Sequence, residues 1–375
     1  MFKYLYPFII VITIGNLTFA SPIPPAPNLN VKAYVLMDFD SGMILASSNK
    51  DLTLPPASIT KMMTAYLAFT ELNENNVTLN EDILVSKKAW KTGGSKMFIE
   101  VGKKIKFKDI LQGVITVSGN DASVALAEHI SGDENTFAIY MNQMAKNIGL
   151  VNTNYTNATG LPNDSLYTTA EDIALLSRSL ISNFPDLYKL YSTKSFKFND
   201  IKQYSRNKLL FIDDNVDGIK TGFTNAAGYC LASSAKRGNR RLIAVVMGAP
   251  TPDVRIQSSR TLLEYGFRFF ETHKLFNKDA EISRARVYGG DKSEVIFGVN
   301  KDSSVTIPRR QKKNLKYQYV IDKKLTAPIN QNETIGFMHI KLNDEIIQTY
   351  KLTALESVNQ GSLYRRTVDS LLMDL

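Results

Sequence analysis

Two pairs of strand-like runs lie far apart in this chain, with helical periodicity filling the distance between them. Ala33–Asp38 and Met43–Ser47 flank Phe39-Asp40-Ser41-Gly42, which reads as a hairpin turn. Ala227–Ala235 and Leu242–Gly248 have the same character. From Ser58 to about Ser182 the pattern is mainly helical, and an amphipathic run from Asp253 to about Phe270 closes the region. Strands from both ends with helices between predict an α+β layer architecture, an antiparallel sheet flanked by helices. Beyond about Lys274 the pattern turns to short alternating runs, the last two, Ile335–Leu342 and Ile346–Leu352, joined by the turn Asn343-Asp344. This predicts a small all-β domain after the first.

The 375 residues are ample for two such domains. Met1–Ala20 stands apart: a lone Lys3, an apolar run from Leu5 to Ile14, and Thr18-Phe19-Ala20 before Ser21. It reads as a secretory signal peptide cleaved after Ala20; a retained anchor is the competing reading, against which the apolar core is short. Export places the protein outside the cytoplasm. The Pro-rich lead-in Pro22–Pro27 follows. The one cysteine, Cys230, cannot form an intramolecular disulfide and reads as a buried small hydrophobe in a strand. A net charge of +9 and the cluster Arg309-Arg310-Gln311-Lys312-Lys313 read, in an exported protein, as a solvated loop or a neighbour of anionic surfaces, not as a nucleic-acid site. His129, His273 and His339 lack ligand spacing, so no metal site is expected.

Ser58 follows Pro55-Pro56-Ala57 and opens a helical run carrying Ile59, Met62, Met63, Tyr66, Leu67 and Thr70. Lys61 lies three residues on and projects over the same face, within reach of the serine oxygen. Ser-x-x-Lys is a nucleophile-and-base pair, though the tetrapeptide alone is common. Ser118-Gly119-Asn120 is expected on a tight turn between two helices with both polar side chains exposed and Asp121 as N-cap of Ala122–Ile130. Lys220-Thr221-Gly222 stands just before the strand Ala227–Ala235. Lys91-Thr92-Gly93 repeats the third motif, but it precedes Ser118 and no apolar strand follows it. It reads as a loop near a cleft rim.

Ser-x-x-Lys, Ser-x-Asn and Lys-Thr-Gly in this order are the active-site signature of penicillin-binding proteins and serine β-lactamases. With Asn215–Gly222, Tyr265–Thr272 and Leu325-Thr326-Ala327-Pro328 added, the chain resembles low-molecular-weight penicillin-binding proteins of the D-alanyl-D-alanine carboxypeptidase type, from about Lys32 to about Tyr364. The resemblance implies a β-lactamase/transpeptidase-like domain at 21–273, a β-rich domain at 274–361 and a short amphipathic helix at 362–375. It implies that Ser58 is acylated, that Lys61 is its base and that Ser118 relays a proton to the leaving amine. Asn120 would hold the substrate amide, Lys220 and Thr221 its terminal carboxylate. The backbone N–H groups of Ser58 and Phe223 would form an oxyanion hole. Arg206 matches a position near the substrate and Arg255 one that supports the third motif. Many members carry His where Phe223 stands, which bears on pH dependence or substrate preference.

The implied partners are peptidoglycan pentapeptides ending in D-Ala-D-Ala, with β-lactams as covalent inhibitors and no cofactor. The alternatives are a serine β-lactamase or D,D-endopeptidase with the same site, or a non-catalytic wall-binding protein. A β-lactamase needs a Glu acting through water, and Glu171, the candidate, reads as first-turn charge of a helix capped by Thr168 or Thr169. Leu363, Val368, Leu371, Leu372 and Leu375 at helical spacing make 362–375 amphipathic, which reads either as weak contact with the membrane surface or as a tail docked on the β-domain or frayed; periplasmic location completes the expectation.

Overall fold

The computed structural model describes residues 24–321 and 324–373. The expected leader, 1–20, lies outside them. Five antiparallel strands form the first sheet, in the order Ile44–Ser48, Ala33–Asp38, Arg240–Ala249, Gly228–Arg237, Val216–Thr224. The distant ends of the region thus meet at its centre, where Val35 pairs with Val245. Successive side chains of a strand point to opposite faces, and here both faces are buried. Val35 and Met37 join a core with the helices Lys61–Asn73, Asn120–Ser131 and Ala170–Asn183, while Tyr34 and Leu36 join a second core with the closing helix Pro252–Phe269. Burial on both faces is why Ala33–Asp38 is apolar almost throughout and not alternating.

The helix Lys61–Asn73 is buried on every side from Lys61 to Phe69, as a helix running through a core must be. A 3₁₀ turn, Ala57–Thr60, precedes it and carries Ser58. The helix Ala170–Asn183 is capped by Thr169, whose hydroxyl accepts from Asp172 N at 3.1 Å. Glu171 sits in its first turn and pairs with Lys50.

The third core belongs to the β-domain, whose six-stranded sheet runs Leu315–Ile321, Thr334–Leu342, Glu345–Ala354, Glu294–Gly298, Glu281–Tyr288, Leu325–Thr326. Asn343 and Asp344, with φ of 51° and 70°, form the expected tight turn. Strand Phe270–Phe276 continues directly from the closing helix and pairs with Ser303–Pro308. Arg309 to Asn314 is a turn and a short 3₁₀ segment, in keeping with a solvated loop.

Candidate active site

Lys-Thr-Gly is not ahead of a strand but inside one. Val216–Thr224 is the edge strand of the sheet, with Lys220 opposite Ala232 and Phe223 opposite Tyr229. Its approach to the turn that carries Ser58 depends on Gly222. A Cβ there would lie 2.9 Å from the Pro56 carbonyl oxygen and 3.2 Å from Ala57 Cβ, so only glycine lets the strand lie this close. On the other side Gly160, at φ +80°, passes so near the Ala57 carbonyl that no side chain fits. Asn157 holds that turn, its side-chain oxygen accepting from the N–H groups of Thr159 and Gly160 at 3.1 and 2.7 Å.

The second motif departs from expectation in two ways. Ser118 and Asn120 are buried, at 2% and 5% exposure, not exposed. Asp121 does not cap the helix, which begins at Asn120 with Gly119 at its N-cap. Its buried carboxylate instead accepts the N–H groups of Met97, Phe98 and Ile99, at 2.8–3.3 Å, and fixes the 97–99 segment against the site. Ser118 has left-handed backbone, φ 61°, where a π-helical turn Gly113–Val117 ends. For a non-glycine residue that conformation is strained and is held by its surroundings.

The three motifs meet around two buried lysines. Lys61, 1% exposed, has Nζ 2.6 Å from Asn120 Oδ1, 2.6 Å from the Thr159 carbonyl and 3.3 Å from Ser58 Oγ. Burial, with Lys220 and Arg206 as added cations, holds its ammonium well below the usual lysine range. Lys220 donates to Ser118 Oγ at 2.9 Å, and burial, then Arg206 and Arg255, pull it down to about 7. A cavity of about 530 Å³ opens over these groups, lined by Ser58, Ser118, Asn120, Thr221, Arg206 and Arg255 among others. Phe223 lines it too, half exposed and stacked on Tyr229 at 4.3 Å between ring centroids.

Every residue expected at the site borders this cavity or, for the two lysines, bonds to a residue that does. The wall also includes Gly94, Ser95, Thr159, Leu161 and Tyr229, which sequence reasoning missed. The Asn157-Ala158-Thr159-Gly160 tetrapeptide has turn composition, the signal that could have marked its part of the wall. Lys91 ends a short helix, Lys87–Lys91, and is not a loop residue. The motif's second copy reaches the site through its backbone, since Asn120 Nδ2 donates to the Gly93 carbonyl at 2.7 Å.

Residues 20–251 match the family model described as D-alanyl-D-alanine carboxypeptidase. The chain belongs to that family. Residues 270–360 match a second model, penicillin-binding protein 5, C-terminal domain. The chain is 42% identical over 356 residues to D-alanyl-D-alanine carboxypeptidase DacC of Escherichia coli (strain K12), covering 93% of this chain and 89% of that protein. Its fold matches the solved penicillin binding protein 5 from Haemophilus influenzae with a TM-score of 0.85 and 41% identity, over 91% of this chain and 100% of that one. Penicillin-binding protein D2 from Listeria monocytogenes, solved in its ampicillin-bound form, matches 64% of this chain and 100% of its own, with a TM-score of 0.60 and 31% identity. As a member of this carboxypeptidase family the chain is a serine hydrolase, and the expected α+β domain followed by a β-rich domain is the fold it has.

Proposed function

We propose that this carboxypeptidase removes the terminal D-alanine from peptidoglycan stem peptides through an acyl-enzyme on Ser58. The observation that carries the reading is the hydrogen bonding of Lys61. A neutral amine has two N–H groups and one lone pair; Asn120 Oδ1 and the Thr159 carbonyl take both N–H groups, which leaves the lone pair for Ser58 Oγ. Burial and the neighbouring cations favour that neutral form. Lys61 is thus the base that takes the Ser58 proton as the oxygen attacks the carbonyl. Ser118, bonded to Lys220, passes a proton to the departing D-alanine nitrogen. Lys220, Thr221 and Arg206 bind the free carboxylate, Asn120 the peptide amide, and the Ser58 and Phe223 N–H groups the oxyanion.

The same groups accept a β-lactam, whose strained amide and carboxylate match the two ends of the site. Among the described residues the cavity wall holds no carboxylate. That favours a carboxypeptidase over a β-lactamase, since no Glu stands ready to activate water for rapid deacylation. The test is intact-mass spectrometry after exposure to penicillin, with D-alanine release from a peptide ending in D-Ala-D-Ala measured alongside. One adduct is expected on the wild type and none on Ser58→Ala. An adduct that persists in Ser58→Ala would overturn the assignment.

For the rest of the chain we propose a leader at 1–20, a catalytic domain at 21–273, a β-domain at 274–361 and a terminal helix from 362, with the mature protein in the periplasm. The separate third core supports the division. Weak membrane attachment through the terminal helix is supported by how Leu363–Met373 docks. Its polar side faces the β-domain, where Asp369 accepts from Gly289 N at 2.7 Å and Arg365 donates to the Asp291 carbonyl at 3.1 Å. Leu363, Tyr364, Val368, Leu371 and Leu372 remain exposed.

A further inference from the structure

The site is rich in cations and poor in anions. Lys61, Lys220, Arg206 and Arg255 gather around the Ser58 cavity, and no carboxylate lines it. Among the described residues three carboxylates are buried, those of Asp38, Asp121 and Asp172. Asp38 pairs with Arg240, and Asp172 accepts from Asn152 N and Thr153 Oγ1. Asp121, 1% exposed, has no ion pair among the described residues, and it follows directly on Asn120, the residue that bonds to Lys61.

Four backbone N–H groups hold that carboxylate. Oδ1 accepts from Met97 at 2.8 Å and from Ala122 at 2.9 Å, and Oδ2 from Phe98 at 2.9 Å and Ile99 at 3.3 Å. Gly119 closes the shell, since a Cβ there would lie 2.9 Å from Oδ1 and 3.0 Å from Met97 N. Sealed from bulk water, the charge is little screened and its field reaches buried neighbours. Three charged side chains act on Lys61. Lys220 from the edge strand and Arg206 from the loop before it lower its affinity for a proton, and Asp121 raises it. The turn Asn157–Gly160 offers Lys61 a carbonyl and no ionisable group. The acids of the helices Glu134–Asn147 and Ala170–Asn183, which also pack on the Lys61 helix, are engaged elsewhere: Glu134 with Lys88 and the Ala158 N–H, Glu171 with Lys50, and Asp172 as above. Arg178 donates to the Phe39 and Asp40 carbonyls.

Resting on the function proposed above, we infer that Asp121 is a positioning residue whose buried charge stabilises the ammonium that Lys61 becomes during acylation. In that step the Ser58 O–H bond breaks, its proton passes to the Nζ lone pair, and Oγ bonds to the carbonyl carbon. Lys61 goes from neutral to charged beside Lys220 and Arg206, both like charges. The field of Asp121 offsets that repulsion as the charge forms. A direct ion pair would hold Lys61 protonated at rest and spoil it as a base. Here Asn120 Oδ1, not the carboxylate, takes the Lys61 hydrogen bond, so the negative charge acts from outside the contact shell.

The experiment follows the second-order rate of penicillin acylation across pH, using the full mature chain. On the wild type the acid limb reports the loss of neutral Lys61. Asp121→Asn and Asp121→Ser remove the charge, and each keeps one acceptor oxygen. Their acid limb should move to lower pH by about one unit, the size expected for a nearby opposite charge. The plateau above it should fall by up to about tenfold, since one unit of basicity is a factor of ten. Arg206→Gln removes a like charge and should move the limb the other way, and Asp121→Glu should leave it near the wild-type position. A brace with no electrostatic part would lower the plateau and leave the limb in place. An acid limb unmoved in the folded neutral variants, or absent from the wild type, would overturn the inference alone, as would failure of both neutral variants to fold. If penicillin does not acylate the wild type, the proposed function falls and the inference falls with it.

Discussion

At the residue scale the site depends on two ammonium groups that burial forces in the same direction but that have opposite tasks. In the proposed mechanism Lys61 must be neutral to act as base, and Lys220 must be charged to hold a carboxylate. With Lys220 near 7, kcat/KM should fall as pH rises above about 7, as the free enzyme loses that charge. A bound carboxylate favours the ammonium, so the matching limb of kcat should lie at higher pH. Lys220→Arg keeps its charge throughout and should remove the descending limb; steady-state profiles on a short D-Ala-D-Ala peptide check both. The same shift has a stability consequence. The unfolded chain holds the Lys220 proton up to about 10.5 and the folded one releases it near 7, so stability rises with pH between those values. Below 7 the cost is fully present, on the order of 5 kcal/mol before lost hydrogen bonds are counted. Lys220→Met should therefore melt at a higher temperature than the wild type at pH 6 while losing activity, with the gain shrinking toward pH 10.

At the element scale, the closeness of the edge strand to the Ser58 turn decides whether the motifs form one site. Gly222→Ala should push Val216–Thr224 away from Pro56 and Ala57, at a cost of about 1–3 kcal/mol for overpacking. Penicillin acylation should slow well beyond what that stability loss explains, which stopped-flow labelling of folded protein would show. This strand was also the element least legible in the chain. Val216–Thr224 includes Asp217, Gly218, Lys220, Thr221 and Gly222, which spoil an apolar strand pattern, and its partner Gly228–Arg237 supplies the order. Ala33–Asp38 and Leu242–Gly248 were legible because both of their faces are buried.

At the scale of the whole molecule, a buried polar network joins the two domains. Asp38, fully buried, accepts from Ser41, from Thr272 at 2.6 Å and from Arg240 at 3.1 Å, and the Ser41 hydroxyl meets Thr306 of the β-domain at 2.6 Å. Asp38→Asn leaves Arg240 largely buried without its counter-charge, and should cost about 3–5 kcal/mol in chemical denaturation. The acylation rate of the folded fraction should not change, since the network lies apart from the Ser58 cavity. The terminal helix makes a separate prediction. Five exposed apolar side chains, worth roughly 1.5–3 kcal/mol each on burial before ordering costs, should carry mature protein up with liposomes in flotation. A form lacking Ser362–Leu375 should float less, and equal flotation would show that the helix is not the anchor.

The sequence by itself determined the helical block and the apolar strands at both ends, the order of the three motifs and the chemistry of their side chains. Local pattern carries that information: helical spacing after Ser58, apolar strands at both ends, and Ser, Lys and Asn at fixed offsets. Only the tertiary structure decided that Ser118 and Asn120 are buried, that Asp121 braces the 97–99 segment, that Thr159 bonds to Lys61, and that Gly93 holds Asn120. These depend on contacts between segments far apart in the chain, and no local pattern encodes them. The lowered affinity of Lys61 and Lys220 for a proton has the same origin, because it comes from burial and from cations that the fold brings together.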